Sequence, residues 1–278
     1  MVVLVTGASG QLGQALQFIA GNYKEIQFHF ASSSEVDVTN KENLSNAFES
    51  LRPNFCINAA AYTAVDKAES EPEKAQLLNV DATKNLAEIC KEFQTTLIHI
   101  STDFVFDGNK NTPYQETDDT NPQSVYGSTK RAGEMAIESV LKEHFIIRTS
   151  WLYSQFGNNF MKTMLLLSKE RDSISVVNDQ IGTPTNAVDL AEVLVRILLS
   201  ESKAYGVYHF SNEGEASWFD FAQEIFKVNA VDIRVNPIPT TSFPTPAKRP
   251  TYSVLDKSKL KAEFGIAIQS WQDALRFN

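Results

Sequence analysis

The chain has 278 residues, 42% of them hydrophobic and 10% aromatic, enough apolar material for one large core and a smaller second one. It carries 34 acidic against 25 basic residues, a formal charge of -9, so no nucleic acid is expected as a partner and any anionic ligand must be held by local donors. The first apolar run begins at Val2, leaving no room for a signal peptide, and no run approaches the about 20 residues of a membrane helix. A cytoplasmic protein without membrane contact is expected.

In chain order, Val2–Val5 reads as a short strand ending in Thr6-Gly7, and Gln11–Ala20 as a helix with Leu12, Leu16 and Ile19 on its buried stripe. A strand Ile26–Phe30, a helix Lys41–Ser50 and a strand Phe55–Asn58 follow. Next come one helix Glu73–Phe93, opened by Pro72, and a strand Thr96–Ser101. Strands alternating with helices predict an α/β fold with a doubly wound parallel sheet of Rossmann type. Residues 107–124, "DGNKNTPYQETDDTNPQS", make a loop too long for a plain connection and are expected to line a site. A helix opens at "SVYGSTKRAGE", and a strand Phe145–Thr149 completes the regular part.

Beyond Ser150 the rhythm breaks into a helix Asn159–Ser168, a strand Ser175–Val177, a helix Val188–Leu199 and a strand Val207–Phe210. Half of the ten prolines lie between Pro237 and Pro250, which predicts a stiff extended loop rather than a helix or central strand. The expected division is a dinucleotide-binding domain over 1–150, with 181–210 returning to it, and a smaller α/β substrate domain from 151–180 and 211–278. Cys56 and Cys90 fall on apolar faces and read as buried free thiols. None of His29, His99, His144 and His209 shows the paired spacing of a metal site, so no metal ligands are predicted.

"TGASGQLG" puts Gly7, Gly10 and Gly13 at the turn between the first strand and first helix. Without side chains there, the backbone N–H groups entering the helix at Gln11 and Leu12 approach a pyrophosphate at the positive helix end. After the second strand, "HFASSSEVDV" has Ser32, Ser33 and Ser34 where an acid would bind a ribose 2′-hydroxyl. No carboxylate there repels a 2′-phosphate and no arginine or lysine holds one, so the cofactor is NADPH or NADH with a lean to NADPH. Asp37 with Val38 reads as an adenine contact, or Asp37 as part of a helix N-terminal turn. In "NAAAYTAVD", Ala59, Ala60 and Ala61, with Thr63 beyond them, let a cofactor lie against the backbone, or pack a helix on the sheet.

Ligands of open α/β sheets sit beyond the carboxyl ends of the strands, where "STDF" delivers Thr102 and Asp103. Tyr126 and Lys130 are four residues apart and so share one helix face. A neighbouring ammonium favours the phenolate, which predicts a lowered pKa for Tyr126.

The motifs "TGASGQLG" and "VYGSTKRAGE" resemble the extended short-chain dehydrogenase/reductase superfamily. Together with "NAAAYTAVDKAESEP", "STDFVFDG", "RTSWLY", "GNNF", "NDQIGTPT" and "PTPAKRP", the chain is similar nearly end to end to that superfamily's dTDP-4-dehydrorhamnose reductase family. The resemblance implies hydride delivery from a nicotinamide to C4 of a 4-keto nucleotide sugar while Tyr126 protonates the oxygen. Lys130 would tune Tyr126 and hold the nicotinamide ribose, and Thr102 would hold the reacting oxygen. Asp103 would touch the sugar, its alternative being a cap on the following turn. Trp151 resembles a substrate-contacting tryptophan, its alternative a core aromatic. Lys248 and Arg249 suit a nucleotide diphosphate, with Arg249 gripping phosphate in bidentate fashion, their alternative a solvated pair. Some reductases of this kind are metal-linked dimers; a homodimer and Mg2+ are thereby raised, but no ligand cluster supports the metal.

Dehydratases of the superfamily carry a carboxylate just after the Thr-Asp pair, where this chain has Phe104, which moves no proton. Two other readings stay open: another nucleotide-sugar reductase or epimerase, and a non-catalytic dinucleotide-binding subunit similar to the regulatory subunit of methionine adenosyltransferase.

Overall fold

The computed structural model describes residues 1–276; positions 277 and 278, the end of the stretch assigned to a substrate domain, lie outside the described residues. The first half runs β1 (Val2–Thr6), α1 (Gln11–Ala20), β2 (Gln27–Ala31), α2 (Lys41–Leu51), β3 (Phe55–Asn58), α3 (Val65–Ala68), α4 (Pro72–Gln76), α5 (Ala82–Glu92), β4 (Thr96–Thr102), α6 (Val125–Val140) and β5 (His144–Thr149). The second half runs β6 (Leu152–Tyr153), α7 (Phe160–Leu167), β7 (Ser173–Val177), β8 (Ile181–Gly182), β9 (Thr185–Asn186), α8 (Ala187–Leu199), β10 (Gly206–His209), β11 (Ala216–Ser217), α9 (Trp218–Val228), β12 (Arg234–Ile238), α10 (Ser258–Phe264) and α11 (Trp271–Arg276).

Six strands form one parallel sheet in the order β10-β5-β4-β3-β1-β2. Their side chains alternate between two cores, as the period of a strand requires. Val3, Val5, Ile57 and Ile147 pack with Leu16 of α1 and Leu190 and Leu194 of α8. Leu4, Cys56, Leu97 and Ile146 pack on the other face with Phe48 of α2, Leu86 of α5 and Ile137 of α6. The chain leaves β1 for β2 on one side and returns to β3 on the other, so the strand order reverses between β1 and β3, where such sheets bind ligands. Cys56 and Cys90 are free and buried. Among the described residues no helix is long and apolar enough to cross a membrane.

Two local expectations change. The predicted helix over 73–93 is interrupted: between α4 and α5, Leu77–Asp81 forms a π turn. The wider turn fits its neighbour, because a side chain at Gly133 of α6 would stand 2.1 Å from the Asn79 carbonyl, while Asn79 bonds Tyr62 and Thr129. Apolar spacing carries no sign of such a packing-induced bulge. Likewise, β12 continues as a strand through Pro237, paired only with β7. In a two-stranded sheet the missing proline N–H faces no second neighbour. The sequence pattern also leaves α9, α10 and α11 without a prediction, although α9 opens on a Ser217–Asp220 capping box.

Candidate active site

The glycine turn and the third strand meet in direct contact. Gly7 has φ +70, and a Cβ on it would lie 2.6 Å from the backbone of Ala59 and Ala60. A Cβ on Gly13 would stand 2.5 Å from the Gly7 carbonyl, so α1 starts hard against the turn. Gly10 caps α1 with no side-chain hydrogen bond, which leaves the first N–H groups of the helix open to an anion. This uncapped positive end beside a cradle that excludes any side chain fits the pyrophosphate of a dinucleotide. The Leu12 side chain is core, so only its backbone faces the turn. The Gln11 side chain reaches the other lobe, donating to the Leu152 carbonyl at 3.2 Å and accepting from Ser154 and Asn159. Ala59, Ala60 and Ala61 are half-buried and Thr63 is exposed.

At the end of β2 a carboxylate is present after all. Glu35 folds back to accept from the Ser32 N–H at 2.8 Å and the Ser32 hydroxyl at 2.7 Å, and those bonds hold its carboxyl below the ordinary value. Windowing on residues 32–34 misses it because a turn returns residue 35 to the strand end. The Asp37 carboxylate accepts from the Thr39 N–H and hydroxyl at 2.9 and 2.7 Å, which forms a local turn before α2, and Val38 is buried.

Tyr126 is brought to the end of β4 by two local devices. Ser124 caps α6 by accepting from the Gly127 N–H. Gly127 itself lets the helix close on the "STDF" turn, since a Cβ there would stand 2.3 Å from the Phe104 carbonyl. The Phe104 and Tyr126 rings meet edge to face at 5.6 Å. Thr102 donates to Asp103 at 3.0 Å, and its oxygen accepts from the Phe104 N–H, so the turn-capping role belongs to Thr102. Burial pushes the Asp103 carboxyl up to about 6, against the pull of hydrogen bonds from Ser253 and Thr102.

The expected lowering of the Tyr126 pKa is reversed. Burial pushes the phenol up to about 12, the Thr102 hydroxyl pulling it down and the Asp103 charge pushing it further up. Lys130 does not counter this, because its amine is turned inward, bonded to the Ile100 carbonyl at 2.7 Å and to His99 Nε2 at 3.1 Å. Burial draws the Lys130 pKa down to about 8, with Glu134 pulling it up. His99, which spacing alone left as a core residue, is thus a direct partner of Lys130.

In the second lobe Trp151 sits at φ +46, a strained position for an aromatic residue. Its ring lies against Gly182 and stacks on Trp218 at 3.6 Å and 7°. Trp218, which the sequence pattern did not single out, is anchored to Gln180 and packed on Phe160. Lys248 donates to Gln123 at 3.2 Å, next to the start of α6. Arg249 makes the bidentate contact expected of it, but with the Asp66 carboxylate, at 3.0 and 2.8 Å. Its fork is therefore filled by a protein acid rather than held open for phosphate, and the pairing lowers the Asp66 pKa. The long loop at 107–124 is tied to the same region: Tyr114 exchanges backbone bonds with Val254 and Asp256. Among the described residues no group of three His, Cys, Asp or Glu side chains is placed to hold a metal.

A doubly wound sheet with a glycine turn at its reversal point, and a threonine, tyrosine and lysine gathered on the same edge, defines an extended short-chain dehydrogenase/reductase. Residues 1–277 match the family described as RmlD substrate binding domain. A dTDP-4-dehydrorhamnose reductase of Aggregatibacter actinomycetemcomitans is 44% identical, over 99% of this chain and 97% of that protein. The crystal structure of a dTDP-4-dehydrorhamnose reductase from Clostridium acetobutylicum superposes with a TM-score of 0.95 at 42% identity, over 100% of this chain and 98% of that one. One from Bacillus anthracis, in complex with NADP, gives 0.95 at 39% identity, over 99% and 97%. The chain belongs to the dTDP-4-dehydrorhamnose reductase family.

Proposed function

We propose that the protein reduces the C4 ketone of dTDP-4-dehydro-L-rhamnose to give dTDP-L-rhamnose, using a nicotinamide dinucleotide. The observation that carries this reading is the convergence of Tyr126 and Thr102 at the end of β4 with the uncapped start of α1 on one sheet edge. When bound, the reduced nicotinamide supplies the hydride. Tyr126 supplies the proton, and its high pKa serves that role: at neutral pH the phenol stays protonated, and a developing alkoxide is basic enough to take its proton. Thr102 holds the same oxygen, and Lys130 holds the nicotinamide ribose from the inner side. Asp103 touches the sugar, and Trp151, backed by Trp218, forms its flat wall. Lys248 brings positive charge toward the diphosphate, while Arg249 reaches it only by leaving Asp66. Residues 1–150 and 181–210 hold the dinucleotide, and 151–180 with 211–278 hold the sugar; β10 in the main sheet and α8 packed on α1 support that division, while β8 and β9, at the start of 181–210, pair with β11 and β6 and go with the facing lobe. A cytoplasmic homodimer belongs to the same reading.

The lean toward NADPH draws support from the NADP complex of the Bacillus anthracis relative, and Glu35 is the group that opposes it. The non-catalytic reading is not favoured, since relatives of 40% identity and more over nearly the full chain carry the reductase name. Purified protein given dTDP-4-dehydro-L-rhamnose and either NADPH or NADH should consume the cofactor, read by its absorbance, and release dTDP-rhamnose. No oxidation with either cofactor would sink the reductase reading.

A further inference from the structure

In "NDQIGTPT", Gln180 precedes β8 and Gly182 ends it, so the period of a strand places the two on one face. Gly182 receives the Trp151 ring, since a Cβ there would lie 2.6 Å from it. β11 pairs antiparallel with β8, Ser217 against Ile181, and the next step of that register sets Trp218 opposite Gln180. The Trp218 indole donates to Gln180 Oε1 at 3.2 Å, and Trp151 stacks on that indole at 3.6 Å. One short stretch thus seats both rings.

The partners leave the Gln180 amide one orientation. An indole N–H donates and cannot accept, so the amide oxygen faces Trp218 and the NH2 faces Thr240 Oγ1, at 3.0 Å. Thr240 therefore accepts from Gln180 and gives its own proton to the Asp179 carboxylate at 2.6 Å, which also takes the Thr240 N–H at 2.8 and 3.0 Å. Gln180 is 4% exposed, where an unmade hydrogen bond is costly. Thr240 also opens the stretch that leads to Lys248 and Arg249. The far end of that stretch is held by Asp66, through the Ala247 N–H at 3.2 Å and the Arg249 fork. Pro244 and Pro246 stiffen the span between the two anchors, so a shift at Thr240 is passed along rather than absorbed.

We propose that Gln180 is a positioning residue for the sugar nucleotide: its amide holds the Trp218 indole that backs Trp151, and ties that pair to the loop carrying Lys248 and Arg249. The inference rests on the reading of Trp151 as the wall of the sugar site. Trp151 at φ +46 keeps its strained backbone only while its surroundings enforce it, and a Trp218 ring fixed from behind is one such restraint. No atom of Gln180 has to touch the substrate. The tie sets where the ring and the two cations stand before the substrate arrives, which lowers the ordering cost of binding. Its loss therefore weakens binding and spares the hydride and proton steps, which the proposed function places on the sheet edge.

The test pairs NMR on the full chain without ligand with kinetics. In 13C-tryptophan-labelled protein the Trp151 ring protons, assigned by their loss in Trp151→Phe, should be shifted upfield by the Trp218 ring. In Gln180→Met, which fills similar space without an amide, that shift should fall by about half or more; in Gln180→Glu, whose carboxyl still accepts from Trp218, it should stay. A shift unchanged in a folded Gln180→Met, or lost equally in Gln180→Glu, overturns the proposal. With dTDP-4-dehydro-L-rhamnose and the reduced cofactor, Gln180→Met should raise the sugar-nucleotide KM about tenfold, with kcat and the dinucleotide KM within about twofold of the parent. A merely structural role would lower the amount of active protein, moving kcat and neither KM; that pattern, or an equal rise in both KM values, overturns it as well. If Gln180→Met does not fold, Thr240→Ala cuts the loop tie alone and should raise the same KM about threefold with the ring shift kept. An unmoved KM in Thr240→Ala then overturns the proposal. A parent that turns over no sugar removes the reductase reading instead, and the ring shift, read without substrate, still decides the tie.

Discussion

The carboxyl edge of the main sheet and the lobe that faces it are built on different plans. On the sheet side every site residue follows a strand of at least four residues or opens a helix, so its position is locked by a register that runs the length of the sheet. On the facing side β6, β8, β9 and β11 have two residues each, and apart from the β7–β12 ladder side chains hold the lobe in place. Trp151 on Trp218, Gln180 on Thr240 and Arg249 on Asp66 do there what ladders do in the sheet. Under the proposed function, backbone ladders fix the chemistry and the dinucleotide, and side-chain ties leave a surface that can be reshaped to a particular sugar. The difference predicts that changes on the sheet edge strike turnover, cofactor binding or the fold, while changes on the facing lobe strike substrate recognition alone.

The strongest way to break this comparison is Tyr126→Phe, which should lower kcat about 1,000-fold while leaving dinucleotide affinity within about twofold of the parent in a fluorescence titration, since no binding contact is lost. A variant that stays fast takes its proton from elsewhere. Gly7→Ala forces a Cβ to 2.6 Å from the Ala59 backbone at φ +70, and should cost about 2–3 kcal/mol in urea unfolding along with most of the dinucleotide affinity. Normal binding by this variant would mean that the turn has room to open.

Asp103 tests the edge by pH. The folded carboxyl sits at about 6 against an unfolded value of about 4, so the folded form holds its proton more tightly. Its contribution to stability is therefore lost as pH rises from about 4 to about 6. Asp103→Asn cannot ionise, so its urea midpoint relative to the parent should improve over that interval, by up to about 2 kcal/mol in unfolding free energy. An unchanged difference would mean that the carboxyl is solvated. On the facing lobe, Trp218→Ala removes the support of the Trp151 ring and should raise the sugar KM about tenfold with the dinucleotide KM unmoved. A matching loss in both would erase the contrast between the two regions. The smallest effect is that of Glu35→Gln, which should raise the ratio of NADPH to NADH kcat/KM several-fold by removing a negative charge beside the 2′ position.

How far the site could be read in advance follows the same division. "TGASGQLG", "STDF" and "VYGSTK" lie at strand and helix ends, where period and glycine placement mark the boundary, and all three stand at the carboxyl edge of the sheet. Asp66 and Trp218 could not be found that way. One is an acid in the four-residue helix α3 and the other an aromatic at a helix start, and only the folded chain brings them to Arg249 and Trp151. The π turn at Leu77–Asp81 was hidden because it answers to Gly133, more than fifty residues on.

Local rules were sufficient for the alternation of strands and helices, the glycine turn, and the i, i+4 placement of Tyr126 and Lys130, because each depends on residues within a turn or two of one another. The direction of the Lys130 amine, the raised phenol and the return of Glu35 to the β2 end depend on burial and on partners far along the chain. Short-range geometry says which face a side chain shares; the dielectric and the donors that meet it there exist only once the sheet has closed.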